Sequence, residues 1–160
     1  MEASEFNRIA ERYTDIVYRS ALSYCKNKND AEDAVQNTFL KLLKTELEFN
    51  DEEHIRRWLI RVVINECKNI WKSFWHRNVT SFDELDKEPV YIESDKKELF
   101  SEVMKLPQKY SVVIHLYYYE GYSVKEIAQI LDISDTNVQT RLMRARNKLR
   151  EQLKGAWIYE

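Results

Sequence analysis

The apolar positions of this chain recur mostly at three- and four-residue intervals, the spacing of helices that bury one face. Phe6, Ile9, Tyr13, Ile16, Val17, Leu22 and Tyr24 give a first helix, which the polar run 27–30 interrupts. A second helix is predicted over about 30–44. Ala31, Ala34, Val35, Thr38, Phe39, Leu42 and Leu43 form its packed face, and Asp33, Gln36, Asn37, Leu40 and Lys44 look outward. Leu40 is the odd member there, a hydrophobe among polar neighbours. A third helix, about 54–75, is expected to bury Ile55, Leu59, Val62, Val63, Ile70 and Phe74, opposite a stripe of Arg57, Arg61, Asn65, Lys68 and Lys72. Over 78–95 the periodicity fails, Pro89 interrupts and the charge turns acidic, as in a flexible linker. The reading is therefore all-α, with two small helical domains, 1–77 and 96–160. The second opens with a helix over 96–106 that stops before Pro107. Another runs from there to Glu120, packing Val112, Val113, Leu116 and Tyr117, and Gly121 closes it.

The segment 123–150 has the pattern of a helix-turn-helix. Ser123 and Glu126 have capping-box spacing, and Ile127, Ala128 and Leu131 give a short helix its apolar edge. Asp132, Ile133 and Ser134 make the turn, with Ile133 plugging the corner and Ser134 capping the next helix. At about 100° per residue, Val138, Leu142, Ala145 and Leu149 of that helix fall on one side. Thr136, Thr140, Met143, Arg144 and Asn147 fall opposite, suited to base edges, while Arg141 and Arg146 sit on the flanks, suited to phosphates.

Net charge is only −2, but the signs are segregated. Bases gather between Arg56 and Arg77 and between Arg141 and Lys154, and acids around Asp30 to Asp33, Glu46 to Glu53 and Asp83 to Glu98. Two basic segments suggest two contacts with a polyanion, leaving other surfaces for other partners. In the first, Trp58 and Trp75 lie toward the basic stripe and Asn65 places an amide in its middle. Stacking and phosphate attraction together suit unpaired bases. Glu66, near the apolar side, has no evident role in the pattern. With two glycines in the chain there is no Gly-rich phosphate loop. His54, His76 and His115 are scattered, and no nucleophile–base spacing appears, so an enzyme is disfavoured. Cys25 and Cys67, without paired spacing, read as reduced and partly buried thiols. No run is long and apolar enough for a membrane span, and the polar start, Met1 to Asn7, is unlike a signal peptide, so a cytoplasmic protein without membrane insertion is expected.

These motifs, in this order, resemble the extracytoplasmic-function group of the sigma-70 family of RNA polymerase sigma factors, which has two domains, sigma-2 and sigma-4. The run from Asp30 through Asp33, Gln36 and Phe39 to Lys41 is similar to the family's polymerase-binding motif. The run from Trp58 through Arg61, Asn65 and Lys68 to Asn69 is similar to its promoter-melting and minus-ten helix. Leu106–Pro107, Glu120–Gly121, Ser123, Glu126 and Ala128, ending in Arg141, Arg144 and Arg146, are similar to its minus-thirty-five helix-turn-helix.

The resemblance implies that Asp30, Asp33, Gln36, Asn37 and Leu40 meet core RNA polymerase. It implies that Trp58, Arg61, Asn65, Lys68, Asn69 and Lys72 meet the minus-ten element, Asn65 bordering a pocket for a base flipped from the melted non-template strand. Thr136, Gln139, Thr140, Arg141, Met143, Arg144, Arg146 and Asn147 would meet the duplex minus-thirty-five element, although the helical wheel puts Gln139 at the margin. An anti-sigma factor is implied as a further partner, and no cofactor, metal or catalytic residue. The acidic linker would thread toward the polymerase active centre. Asn37 stands where the family more often has Glu, and Ser111 where it often has Arg. The alternatives are a helix-turn-helix regulator that binds DNA alone, which leaves Leu40 and its acidic surroundings unexplained, and an adaptor that binds polymerase without reading DNA.

Overall fold

A computed structural model of the chain describes residues 1–77 and 97–157, with side chains over 1–73 and 99–154. The expected linker 78–95 and the side chains of Phe74 and Trp75 lie outside the described residues. Every regular element among the described residues is helical, and the chain divides into two compact units, Met1–Glu88 and Pro89–Glu160.

In the first unit α1 (Ala3–Cys25), α2 (Lys28–Lys44) and α3 (Glu52–Arg77) each pack against the other two. The polar runs between them are caps. Asn27 Oδ1 accepts the Asp30 N–H at 3.0 Å to start α2, and Asp51 Oδ1 accepts the His54 N–H at 2.8 Å to start α3. Lys26, in the left-handed region at φ 60°, ends α1 with its N–H on Leu22 O at 2.9 Å. Ile9, Val17, Leu22, Leu42, Leu59 and Ile64 fill the centre, each such side chain contributing about 1.5–3 kcal/mol by leaving water.

The buried face of α3 is rotated from the expected one. Ile60, Ile64 and Cys67 are buried, whereas Val62 and Ile70 are half-buried, because α3 meets both α1 and α2 and so buries two adjoining strips. On α2 the expected packed residue Leu43 is 43% exposed, one strip beyond the face that α1 and α3 cover. Cys25 and Cys67, expected to be partly buried and unrelated, are wholly buried and adjacent. Burial and the contact with Cys25 push the Cys67 thiol well above its ordinary range, and Cys67 Sγ donates to Ala21 O at 3.8 Å. Both are core side chains, and Cys67 has little thiolate character.

The second unit has α4 (Lys97–Met104), α5 (Gln108–Ile114), α6 (Val124–Leu131) and α7 (Asp135–Trp157). The helix expected to run unbroken to Glu120 instead widens after α5 into a π turn, His115–Tyr119, where the Glu120 N–H reaches back to His115 O at 3.1 Å. The wider turn accommodates buried His115, whose Nε2 lies 3.0 Å from Glu120 Oε2 and whose ring stacks on Tyr119. It also leaves Tyr117, expected in the core, half-buried. Gly121, at φ 73°, turns the chain out of this element. Phe100, Val113, Leu116, Ile127, Val138 and Leu142 form the core, and α7 packs across α4, α5 and α6.

Candidate functional site

The helix-turn-helix is built by its caps. Ser123 Oγ accepts the Glu126 N–H at 3.2 Å, and Glu126 Oε1 accepts the Ser123 N–H at 3.1 Å, so both sides of the capping box are closed at the start of α6. After α6 Asp132 turns left-handed at φ 59°, and the Ile133 N–H bonds Ala128 O at 3.0 Å. Ser134 Oγ then accepts the Asn137 N–H at 3.0 Å and starts α7. Ile133, expected to plug the corner, is half-buried there.

Val138, Leu142 and Ala145 of α7 are buried, and Leu149 is half-buried as the helix runs off the core. Thr136, Gln139, Met143, Arg144, Arg146 and Asn147 are exposed, and Thr140 and Arg141 are half-buried. The marginal Gln139 thus stands in solvent. Arg141 Nε donates to Asn137 Oδ1 at 3.0 Å, which aims the guanidinium along the helix. Arg144 engages the Tyr110 hydroxyl. Burial raises the pKa of that hydroxyl, and the positive charge and hydrogen bonding of Lys109 and Arg144 more than reverse this, leaving Tyr110 below its ordinary range. Arg146 Nε donates to Tyr118 Oη at 2.7 Å.

Charge pairing separates this helix from much of the molecule. Arg8 pairs with Glu52 at 2.6 Å, Arg56 and Arg57 with Glu53 at 2.6 and 3.0 Å, and Arg19 with Asp15. Those carboxylates already hold the cations. The pairing lowers the Glu53 pKa, through Arg56 first and then Arg57, and lowers that of Glu52 through the Tyr13 hydroxyl and Arg8. Among the described residues no carboxylate pairs with Arg141, Arg144, Arg146, Lys148 or Arg150 of α7, nor with Arg61 or Lys72 of α3.

On α3 the structure brings the expected stripe together, with Arg61, Asn65, Asn69 and Lys72 exposed and Lys68 half-buried. Asn65 has no hydrogen-bond partner among the described residues. Trp58 does not stand free beside the stripe. It is half-buried, with its ring edge-on to Phe49 at 5.7 Å, and Phe49 also meets His54 at 5.1 Å. Their place beside Trp58 was missed in the sequence, because Phe49 falls in the polar stretch before α3 and His54 was read only as the start of that helix. An aromatic four residues before another on the next helix, as His54 and Trp58 are, was the available signal.

On α2, Asp33, Gln36, Asn37 and Leu40 are exposed on one face, Leu40 by 47%. Half-buried Asp30 borders them, its pKa raised by burial and by Asp33. Glu66, without a role in the sequence pattern, is buried behind this face, where Lys41 Nζ lies 2.5 Å from Oε1 and Asn37 Nδ2 3.5 Å from Oε2. It anchors the polar side of α2 to α3. Leu43 and Leu47 are exposed as well.

Comparison with known proteins agrees with both units. The family described as Sigma-70 region 2 matches residues 9–77, and Sigma-70, region 4 matches residues 97–149. The RNA polymerase sigma factor SigV of Bacillus subtilis is 30% identical over 85% of this chain and 83% of its own length. The ECF RNA polymerase sigma factor SigM of the same organism is 29% identical over 90% of this chain and 92% of its own. Among solved structures, the sigma factor RpoE in complex with the anti-sigma factor NepR from Bartonella quintana shares the fold, with a TM-score of 0.66 at 22% identity over 95% of this chain and 98% of that one. CnrH in complex with the cytosolic domain of CnrY gives 0.60 at 25% identity over 96% and 90%. Helix order, helix-turn-helix and relatives agree, and the chain belongs to the sigma-70 family of RNA polymerase sigma factors, in its extracytoplasmic-function group.

Proposed function

We propose that this sigma factor divides transcription initiation between its two units. The α7 face of Thr136, Gln139, Thr140, Met143, Arg144 and Asn147 reads the duplex minus-thirty-five element, with Arg141 and Arg146 on phosphates. Trp58, Arg61, Asn65, Lys68, Asn69 and Lys72 of α3 hold the melted minus-ten strand. Asp30, Asp33, Gln36, Asn37 and Leu40, with Leu43 beside them, dock on core RNA polymerase. The observation that carries this division is that the cations of α7 and the exposed stripe cations Arg61 and Lys72 have no carboxylate partner among the described residues, whereas those at the start of α3 do. An unpaired surface cation meets a phosphate without first breaking an ion pair.

On this reading the protein carries out no chemistry of its own and works in the cytoplasm, beside the polymerase. No described helix is long and apolar enough to cross a membrane. A protein that masks the sigma factor, of the anti-sigma kind, is a further proposed partner, supported by the complexes in which its structural relatives were solved. The segment 78–95 is proposed as the connection between the two working units.

Transcription by purified core enzyme from a mixed promoter library tests the division. Wild type should select templates that share an upstream and a downstream element. Arg144→Ala should relax one upstream position, and Asp33→Ala with Leu40→Ala should lower capture of core enzyme without loss of helical circular dichroism. Specific, tight duplex binding without core enzyme would favour the stand-alone regulator instead.

A further inference from the structure

Arg146 is held in an unusual way for a surface arginine. Its Nε donates to Tyr118 Oη at 2.7 Å, and its guanidinium carbon lies 5.8 Å from the centre of the Tyr118 ring and 5.9 Å from that of Tyr117. The two rings meet edge to face at 4.9 Å, so they form one aromatic corner. Tyr118 is 55% exposed although it lies in the π turn that follows α5, between half-buried neighbours. The remaining N–H groups of Arg146 have no partner among the described residues.

A tyrosine differs from a carboxylate as a partner for arginine. A carboxylate fixes the guanidinium and cancels its charge, whereas a neutral hydroxyl fixes it and leaves the charge whole. The ring faces add attraction of their own without supplying a counter-charge. Arg146 is thus oriented and still fully able to attract an anion. Its place on α7 gives the direction, since it projects between the buried strip of Val138, Leu142 and Ala145 and the exposed strip of Thr136, Met143 and Asn147. That flank faces a groove wall when the exposed strip faces bases. While Tyr118 Oη accepts from Arg146, its own O–H remains able to donate.

We infer that Tyr118 is a positioning residue for promoter binding: it holds Arg146 toward one backbone phosphate beside the upstream element and donates its hydroxyl to the same phosphate. The duplex interface then extends from α7 onto the π turn after α5, and the π turn is what brings Tyr118 out to that position. This rests on α7 being the duplex-reading helix.

The test uses the full chain assembled with core enzyme, on promoter duplexes carrying a neutral methylphosphonate at one backbone position at a time. With wild type, one position flanking the upstream element should show a loss of affinity that Arg146→Gln and Tyr118→Phe each reduce and that the two together abolish. Tyr118→Phe should weaken binding about tenfold or more to all sequences alike, the scale of one hydrogen bond to a charged group. It should leave the salt dependence nearly unchanged, while Arg146→Gln lowers the slope by about 0.9. Combined, the two substitutions should cost less than the sum of the two single losses, because part of the Tyr118 effect acts through Arg146. Additive losses, or a Tyr118→Phe protein with wild-type affinity and phosphate profile, would overturn the inference, as would a loss of affinity fully matched by a lower melting temperature. Failure of the underlying reading looks different, because Arg144→Ala would then leave base preference at the upstream element unchanged.

Discussion

Arg57 and Arg61 stand one turn apart on the same side of α3, yet their surroundings differ. Arg57 Nε lies 3.0 Å from Glu53, which also holds Arg56, while Arg61 has no carboxylate partner among the described residues. The difference continues across the molecule. Cations of α1 and of the first turns of α3 are tied into pairs, and those of α7 are held, where they are held at all, by the neutral groups of Asn137, Tyr110 and Tyr118. Basic composition alone therefore does not mark a nucleic-acid surface. What marks it is charge that the fold orients without neutralising, because only such charge releases counterions when phosphates arrive. Surface ion pairs are worth little to stability, so on the proposed reading the pairing at the start of α3 serves to keep that region from competing for the polyanion.

The largest effect should come from removing the oriented charges of α7. Replacing Arg141, Arg144 and Arg146 together by Gln should lower duplex promoter affinity by about a hundredfold or more and reduce the salt slope by about 0.9 for each phosphate left without its cation. Filter binding of the holoenzyme across a salt series measures both, and an unchanged slope would break the comparison. Next in size is Asn65→Ala. The side chain is exposed and without a partner among the described residues, so stability should change by no more than about 0.5 kcal/mol. Strand opening should nevertheless slow about tenfold, because an extruded base is deprived of a partner that replaces its pairing. Permanganate footprinting beside a duplex-binding assay separates the steps, and normal opening would remove α3 from minus-ten recognition. Ser123→Ala should cost about 1 kcal/mol by opening the capping box, lowering the melting temperature of the second unit without altering base preference. A changed base preference would mean that the cap also sets the aim of α7.

Both units and the order of their helices were legible in the sequence, because helical periodicity and capping residues are local signals. The α7 faces came from the same source, with Val138, Leu142 and Ala145 inside and Met143 and Arg144 outside. Tertiary geometry was not legible. Ile60 and Ile64 displace Val62 and Ile70 from the core because α3 has two neighbours, a fact that no single helical wheel contains. Glu66 took its meaning from Lys41, which is distant in sequence, and the proximity of Cys25 and Cys67 likewise arises only once α1 and α3 are packed. The π turn at His115–Tyr119 was hidden because its residues also suit an ordinary helix, and what favours it is the buried contact of His115 with Glu120. Arg57 and Arg61 looked equivalent for the same reason, since charge counts along a stripe do not reveal which cations a carboxylate already holds.

That last pair gives the smallest effect and the sharpest comparison. Arg57→Gln and Arg61→Gln remove the same charge, from the same helix, at neighbouring turns. Both arginines are exposed, and stability should move by no more than about 0.5 kcal/mol in either variant. Their effects on binding to a template with a preformed bubble should differ. Removing Arg61 deletes an unpaired charge and should reduce the salt slope by about 0.7, the value for one phosphate of a single strand. Removing Arg57 lowers the net charge by one as well, but the cation it removes is engaged by Glu53, which keeps Arg56 at 2.6 Å, so no phosphate contact is lost and the slope should stay near its wild-type value. Holoenzyme binding to the bubble template over a range of salt concentrations, with double-stranded template as the control, reads the difference directly. An equal drop in slope for the two variants would show that the Glu53 pair opens whenever DNA binds, and pairing would then no longer distinguish the start of α3 from the stripe that follows it.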